Sequence, residues 1–291
     1  VMAFLSYLIG GLGLGSVYAI IALGYSMVYG IAKMLNFAHG DVIMVGAFVA
    51  YFALSSFGLP TIVALILSVV ACTVLGIVVE KLAYKPLRGA SSLSVLITAI
   101  GVSYFLQNAA MLMWGTDTKI FPTILEGTLT IGELSIPYLT LLTILSCIVI
   151  MVVLTMFINK TKTGRAMRAC SEDKGAASLM GINVNQIISI TFAIGSGLAA
   201  IAAVLLCATY PSVYPTLGSM PGIKAFTAAV LGGIGSIPGA FLGGLLLGVI
   251  ENLARAYIST QLSDAIVFMV LIVILLIKPT GLLGKKVNVK V

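Results

Sequence analysis

By polarity alone, the chain is a series of long uncharged runs separated by short clusters of charge. Intervals without Asp, Glu, Lys or Arg extend from Val1 to Ala32, Val42 to Val79, Gly89 to Thr116, Leu134 to Asn159, Gly175 to Ile223, Ala225 to Ile250 and Ala265 to Ile277. Most reach or exceed the ~20 apolar residues that a helix needs to cross a hydrocarbon core, and the longest hold two crossings. Period-two alternation with a turn signal every ten or so residues is absent, which speaks against a membrane barrel. The pattern predicts helices over Ser6–Ile31, Val42–Phe57, Pro60–Glu80, Leu93–Trp114, Pro137–Ile158, Ile187–Ala208, a short Ile223–Leu231, Ile237–Tyr257 and Leu262–Ile277. The expected fold is all-α: a polytopic transmembrane helical bundle of about 8–9 membrane segments with interrupted helices. Residues 1–291 are expected to form a single transmembrane domain.

Composition agrees with that solvent. The chain of 291 residues is 60% hydrophobic and 9% charged, whereas a soluble domain carries roughly a quarter charged residues. Lys and Arg gather at Lys81, Lys85 and Arg88, at Lys160, Lys162, Arg165, Arg168 and Lys174, and at Lys278, Lys285, Lys286 and Lys290. By the positive-inside rule these three clusters are cytoplasmic, so the net charge of +7 needs no nucleic-acid partner. Between Gly115 and Ile136 the acids Asp117, Glu126 and Glu133 outnumber Lys119, which suits an external loop. Alternation from these anchors puts the N-terminus outside and the C-terminus inside, provided the short segment after Pro221 crosses. No basic n-region precedes the first apolar run, so no signal peptide is expected. Cys72, Cys147, Cys170 and Cys207 form no CxxC pair and are expected to be small apolar fillers.

Two stretches interrupt the helical pattern. In GIAKMLNFAHGD, the residues Asn36, His39, Gly40 and Asp41 follow a full span and precede another apolar run. In SMPGIKAFTAAVLGGIGSIPGAF, the punctuation is Pro221, Gly222, Gly232, Gly233, Gly235, Pro238 and Gly239. Proline removes a backbone donor and glycine weakens a helix, so unwound backbone at membrane depth must be satisfied by protein or by a wet cavity. Asn36, His39, Gly40, Asp41, Gly232, Gly233, Gly235 and Pro238 are therefore the candidates for helix breaks beside a translocation path. A shared GAF tripeptide, Gly46–Phe48 and Gly239–Phe241, hints that the two breaks belong to internal repeats. Gly11, Gly15 and Gly24, and Gly244 and Gly248, sit at helical spacing and predict packing seams. Neither GxGxxG in a βαβ setting nor GxxxxGK[ST] occurs, so the chain itself is expected to hold no nucleotide or other cofactor.

His39 is the chain's one histidine. With no second histidine, cysteine neighbour or nearby serine nucleophile, it predicts neither a metal site nor a catalytic residue, and a structural hydrogen bond at the break suits it better. Asp41 directly precedes an apolar helix; it is expected either to cap that helix or to act in the path. Glu251 and Arg255 stand four apart and predict a neutralised pair, while Lys224 has no local partner and is expected to snorkel toward an interface or to face another subunit.

The loop Thr163–Gln186 carries Arg165, Arg168, Glu172 and Asp173, then Ala176, Ala177, Leu179 and Met180, and ends this run at Gly181. Its spacing predicts a short surface helix stopped by the glycine. AAxxxG over Ala176–Gly181 resembles the EAA loop by which importer permeases dock on their ATPases, with Gly175 where the usual glutamate stands and Glu172 three residues earlier.

Three longer segments extend that likeness: GSVYAIIALGYSMVYGIAKMLNFAHGDVIMVGAFVAY, GRAMRACSEDKGAASLMGINVNQIISITFAIGSGLAAIAAVL and KAFTAAVLGGIGSIPGAFLGGLLLGVIEN. The chain resembles the permease subunits of branched-chain amino-acid ATP-binding-cassette importers, specifically the NFAHGD-bearing member of the permease pair. The resemblance implies a second homologous permease, two cytoplasmic ATPase subunits that hold the ATP, and an external solute-binding protein, in a bacterial or archaeal plasma membrane. It also implies a cytoplasmic coupling loop at about 159–186. Within it, Arg165, Arg168, Glu172, Asp173, Ala176, Ala177 and Gly181 would make the coupling contacts. Relatives of this shape are associated with leucine, isoleucine and valine, and also with urea, amides and small acids. The alternative is an ion-coupled secondary transporter or channel for a small polar solute, which should bury acids or histidines in several spans. An embedded enzyme lacks its constellation of residues.

The charge distribution yields a test of sidedness. After replacement of Cys170, cysteine at position Lys162 should react with an impermeant thiol reagent only from the cytoplasm, and cysteine at Glu126 only from outside. Reversed labelling would overturn the orientation.

Overall fold

The computed structural model describes residues 2–132 and 134–284; Glu133, Lys285, Lys286 and Lys290 lie outside the described residues. Its helices are α1 (Met2–Ala32), α2 (His39–Ser55), α3 (Thr61–Val79), α4 (Ser92–Trp114), α5 (Tyr138–Lys160), α6 (Lys162–Glu172), α7 (Lys174–Leu179), α8 (Val184–Thr209), α9 (Ser219–Gly232), α10 (Ile237–Tyr257) and α11 (Ser263–Ile277). The all-α expectation holds: six helices are long and apolar enough to cross a membrane, and α2 and α11 are shorter apolar helices. α3 does not stop at Val79 but runs on through a π turn, Glu80–Tyr84, and a 3₁₀ turn, Lys85–Leu87, where Pro86 cannot donate to the α ladder. One element was not foreseen. Strands β1 (Thr128–Ile131) and β2 (Leu134–Pro137) pair antiparallel as a hairpin before α5, too short to stand out by alternation.

Local chemistry sets several ends. Ser91 caps α4 by accepting from Ser94 N, Asn183 caps α8 through Gln186 N, and Ser236 caps α10 through Gly239 N with Pro238 inside the first turn. α9 begins at Ser219, four residues before the Ile223 start expected, because proline is tolerated in a first turn and Pro221 sits there.

The order of crossings follows from contacts at the two faces. Lys174 Nζ donates to Ala32 O at 2.6 Å, so the end of α1 lies against the basic loop. On the opposite face Lys119 pairs with Val213 in an isolated bridge and lies 5.9 Å from the rings of Tyr51 and Phe52 at the end of α2. α1 thus descends toward the basic side and α8 rises from it. α9 descends as well, because the turn after it comes back to that side: a methyl on Gly30 would stand 3.2 Å from the Cα of Gly235. α1 and α9 therefore run toward the basic face and α8 away from it.

The packing is internally repeated. α1 lies on α10 and α9 as α8 lies on α3 and α2, and α2 packs on α3 as α9 packs on α10. The equivalent units are α1–α2–α3 and α8–α9–α10, related by inversion. The GAF tripeptides do not mark this relation, for Gly46 lies within α2 against Cys72 and Ala200, whereas Gly239 opens α10 against Gly232. The breaks that correspond are 33–38, between α1 and α2, and 210–218, between α8 and α9.

Small residues let these helices approach. A methyl on Gly15 would stand 2.8 Å from Leu245 O, one on Gly11 2.8 Å from Val249 Cα, and one on Gly248 would overlap the backbone of Gly15. Across the repeat, Gly76 of α3 admits Ser196 of α8, and within the first unit Ser68 Oγ of α3 donates to Gly46 O of α2 at 2.8 Å. Backbone contact of this kind substitutes for the hydrophobic drive that lipid removes. The four cysteines are buried and free, as fillers should be.

Lys224 departs from expectation. It is not partnerless: Nζ reaches Glu251 Oε1 at 2.8 Å and Asp264 Oδ1 at 2.6 Å, and Arg255 joins Glu251 from the expected i,i+4 position. The partners come from α10 and α11, 27 and 40 residues away, beyond the reach of helical spacing. The cluster ties α9, α10 and α11 together with no net charge.

Two outcomes test this packing. Gly248→Val should lower stability in detergent by about 1–3 kcal/mol, as overpacked cores do, while Gly101→Val, which meets nothing within 4 Å, should leave the unfolding midpoint unchanged. Lys224→Met should cost ~3 kcal/mol or more by leaving Glu251 with a buried charge and one partner fewer.

Candidate functional site

α2 and α9 both start in the interior. Segment 33–38 climbs from the basic face before α2 begins, and 210–218 descends from the opposite face before α9 begins, so two helix N-termini oppose each other. They touch backbone to backbone: a methyl on Gly40 would stand 2.5 Å from Gly218 O and one on Gly222 3.0 Å from Gly40 Cα. α9 has 14 residues, ~21 Å of helix against ~30 Å of hydrocarbon, so its start lies well inside the membrane.

A cavity of about 300 Å³ opens beside this junction, between Gly40 and Asp41, Gly218 and Ser219, Tyr25 of α1 and the face of α4 carrying Ser103 and Gln107. Gln107 joins the three helices. Its Nε2 donates to Asp41 Oδ1 at 2.8 Å and lies 3.2 Å from Ser103 Oγ and 3.3 Å from Ser219 Oγ. Asp41 is 2% exposed. It does not cap α2, for the helix begins two residues earlier; Ala38 holds the cap position and makes no side-chain bond there. The carboxylate is in the first turn and is turned to α4 and the cavity. The positive ends of two helix dipoles face the same space.

The break itself is tied down by Asn36, whose Oδ1 accepts from Tyr84 OH at 2.8 Å in the π turn after α3. Its carbonyl accepts from His39 N at 3.2 Å. Lys33 takes the left-handed conformation, φ 57°, to turn the chain out of α1. His39 stands behind the cavity wall, edge-on to Tyr25 with ring centroids 4.6 Å apart, and its Nε2 has no hydrogen-bond partner. Gly24 leaves room for that imidazole: a methyl there would lie 2.7 Å from Nε2.

The candidates from the second break lie elsewhere. Gly232, Gly233, Gly235 and Pro238 form the turn from α9 into α10 at the basic face, a full helix length from Ser219. Gly233 and Gly235 adopt φ of 105° and 91°. Gly235 N donates to Ser26 Oγ at 3.1 Å, and the carbonyls of Leu231 and Gly232 accept from the amides of Leu282 and Leu283, both at 2.9 Å. Gly40 and Asp41 thus line the cavity, Asn36 and His39 stand behind it at the break, and the glycines after α9 lie at a junction on the basic face.

A polar stripe on α4 escaped the sequence reading. Ser103, Tyr104, Gln107 and Asn108 share one helical face. Tyr104 is 63% exposed, and the Asn108 amide has only its own helix to bond, donating to Tyr104 O at 2.7 Å. Polar groups facing lipid at this depth are expensive, so this face belongs to water or to another protein. The adjacent Gln107 and Asn108 in an uncharged span were the available signal.

The basic loop contains two helices, not one. Asp173 breaks it, accepting from the amides of Gly175 at 2.7 Å and Ala176 at 2.9 Å as the cap of α7. Gly181, φ 82°, ends α7, with Ile182 N bonding Ala177 O and Gly181 N bonding Ser178 O. Arg168 reaches Asn159 O at 3.5 Å, Arg165 N bonds Thr161 O, and Glu172 is exposed. Ala177 is buried beneath α7, whereas Ala176 is exposed beside Leu179 and Met180, 91% and 82% exposed.

The comparisons with known proteins agree with one another. Residues 7–275 match the family described as branched-chain amino acid transport system, permease component. The chain is 48% identical to the high-affinity branched-chain amino acid transport system permease protein BraD of Pseudomonas aeruginosa, covering 97% of this chain and 96% of that protein. It is 44% identical to LivH of Escherichia coli, with the same description and coverage. A probable branched-chain amino acid transport permease of Methanocaldococcus jannaschii is 27% identical over 94% of this chain and 91% of its own length.

Proposed function

Because the chain belongs to the family of permease components of branched-chain amino acid transport systems, we propose that it is the transmembrane permease of an ATP-binding-cassette importer. It carries branched-chain amino acids inward after an external binding protein delivers them. The observation that carries this reading is the cavity at the opposed N-termini of α2 and α9. It is a space inside the membrane with a polar corner at Asp41, Ser103, Gln107 and Ser219 and an otherwise largely apolar lining, built from interrupted helices in a multi-pass chain, with one wall ending at the exposed polar stripe of α4. Such breaks are where transporters place their substrate.

The partners follow from surfaces that this chain leaves open. A second, homologous permease covers the stripe of α4, so that the passage runs between two subunits. With no nucleotide-binding motif of its own, the chain takes its energy from two ATPases, which dock on α6 and α7 where Leu179 and Met180 project from the cytoplasmic face. The host membrane is the plasma membrane of a bacterium or archaeon, the kinds of organism that the named relatives come from.

One contact supports a route for transmission. Lys174, the first residue of α7, donates to Ala32 O at the C-terminal end of α1, and the broken segment that leads to Asp41 starts at the next residue. Burial, and then the charges of Arg88 and Lys33, push the Lys174 ammonium below the ordinary lysine range. A push on α7 moves the end of α1 and with it the entry to α2.

In proteoliposomes holding both permeases, the ATPases and the binding protein, the wild type should accumulate leucine, isoleucine and valine in an ATP-dependent way. Lys174→Met should lower uptake about fivefold or more while ATP hydrolysis continues. Absence of such uptake in the wild type would sink the importer reading, and normal uptake in the variant would remove Lys174 from the coupling route.

A further inference from the structure

Among the described residues three carboxylates are buried among the spans, and two of them are neutralised within the protein. Glu80 holds Arg88 and accepts from Ser189 Oγ at 2.6 Å. Glu251 holds Lys224 and Arg255. Asp41 differs. Among the described residues no Lys or Arg forms an ion pair with it, and the bond made to it comes from a neutral amide, Gln107. A carboxylate buried at membrane depth without a countercharge is costly, and a protein that neutralises its other two has left this one for something else.

The geometry around Asp41 says what that is. The carboxylate lines the cavity, Gln107 orients one of its oxygens, and its remaining acceptor capacity is open to a donor arriving there. Beside this polar corner the lining turns apolar at Phe37, Ile100 and Ile223. A charged group that needs three acceptors joined to a short aliphatic body matches both halves of the surface.

Resting on the reading of this cavity as part of the passage, we infer that Asp41 is the subsite for the protonated primary amine of the transported solute, with its aliphatic body against Phe37, Ile100 and Ile223. The amine supplies the missing positive charge beside Asp41, so this carboxylate is paired when the subsite is filled and has no countercharge when it is empty. That difference favours occupancy by a cation of this shape and disfavours the amine-free acid of the same skeleton, which would set two carboxylates side by side.

Binding to the purified permease–ATPase complex in detergent, without the binding protein, tests the assignment. Isoamylamine should raise the unfolding midpoint saturably, and isocaproate should not. Asp41→Asn keeps an acceptor for Gln107 but no charge, and should weaken the amine about tenfold or more. Gln107→Lys gives Asp41 an internal ammonium; it should assemble with no unpaired charge and bind no amine, which keeps the test decisive even if Asp41→Asn does not assemble. Stabilisation by isocaproate equal to that by the amine, or wild-type amine binding in either variant, would overturn the proposal. No translocation enters these measurements, so a wild type that binds the amine yet moves no branched-chain amino acid would defeat the importer reading alone.

Discussion

Hydrocarbon offers a peptide group nothing to bond, and the whole arrangement depends on where this chain lets its backbone leave the helix. It does so twice on the way into the interior, at 33–38 and 210–218, and in both places protein takes up part of the freed backbone. The first is held by Tyr84 on Asn36, the second by its bridge to Lys119. Each break ends in a helix whose N-terminus points at the other, and Gly40 against Gly218 is the closest approach between them. The cavity exists because these two ends meet there and α4 stands off to one side. The glycines of α1 and α10, and the serine, cysteine and glycine of α3, hold the long helices close enough for the short ones to be stationed between them.

Much of the fold was legible in the sequence, because one-dimensional signals carry it. Uncharged run lengths marked the spans, charge asymmetry the faces, and Gly11, Gly15, Gly244 and Gly248 the seam that α1 and α10 form. The NFAHGD stretch was legible as a break, and Gly40 and Asp41 do reach the cavity. What was not legible depends on distant pairing. The partners of Lys224 are contributed by α10 and α11, and the bond that turns Asp41 from a cap into a cavity group comes from Gln107, 66 residues on. The inverted repeat was hidden because the equivalent breaks share geometry and no sequence, while the GAF tripeptide that the halves do share falls at unrelated positions. The glycines after α9 had the same composition as a break in the path, and only the length of α9 puts them at the other end of it.

The distribution of buried charge divides the protein into parts that hold still and parts that respond. Around Lys224, opposite charges from separate helices bond one another, so moving one without its neighbours would strand a charge, and Glu80, paired locally with Arg88, is bonded to Ser189 of α8. The same elements therefore travel as units: α9 with α10 and α11, and the end of α3 with α8 through Ser189. Between these units the contacts are small residues and van der Waals surface, which can slide at lower cost. α6 and α7 meet the bundle at such a boundary, next to the end of α1.

The last described residues bear on how the protein is made. The amides of Leu282 and Leu283 satisfy carbonyls at the end of α9, and a methyl on Gly281 would stand 2.6 Å from Val230 O, so this closing segment is fitted into the turn after the short helix. A ribosome delivers α9 some fifty residues before it delivers those partners. Until α10 and α11 have been inserted and the segment behind them has folded back, the lower end of α9 is unfinished. The half-helix that completes the cavity is consequently among the last parts of the molecule to mature, and quality control that samples unfinished membrane proteins would meet an open site on every chain it inspects too early.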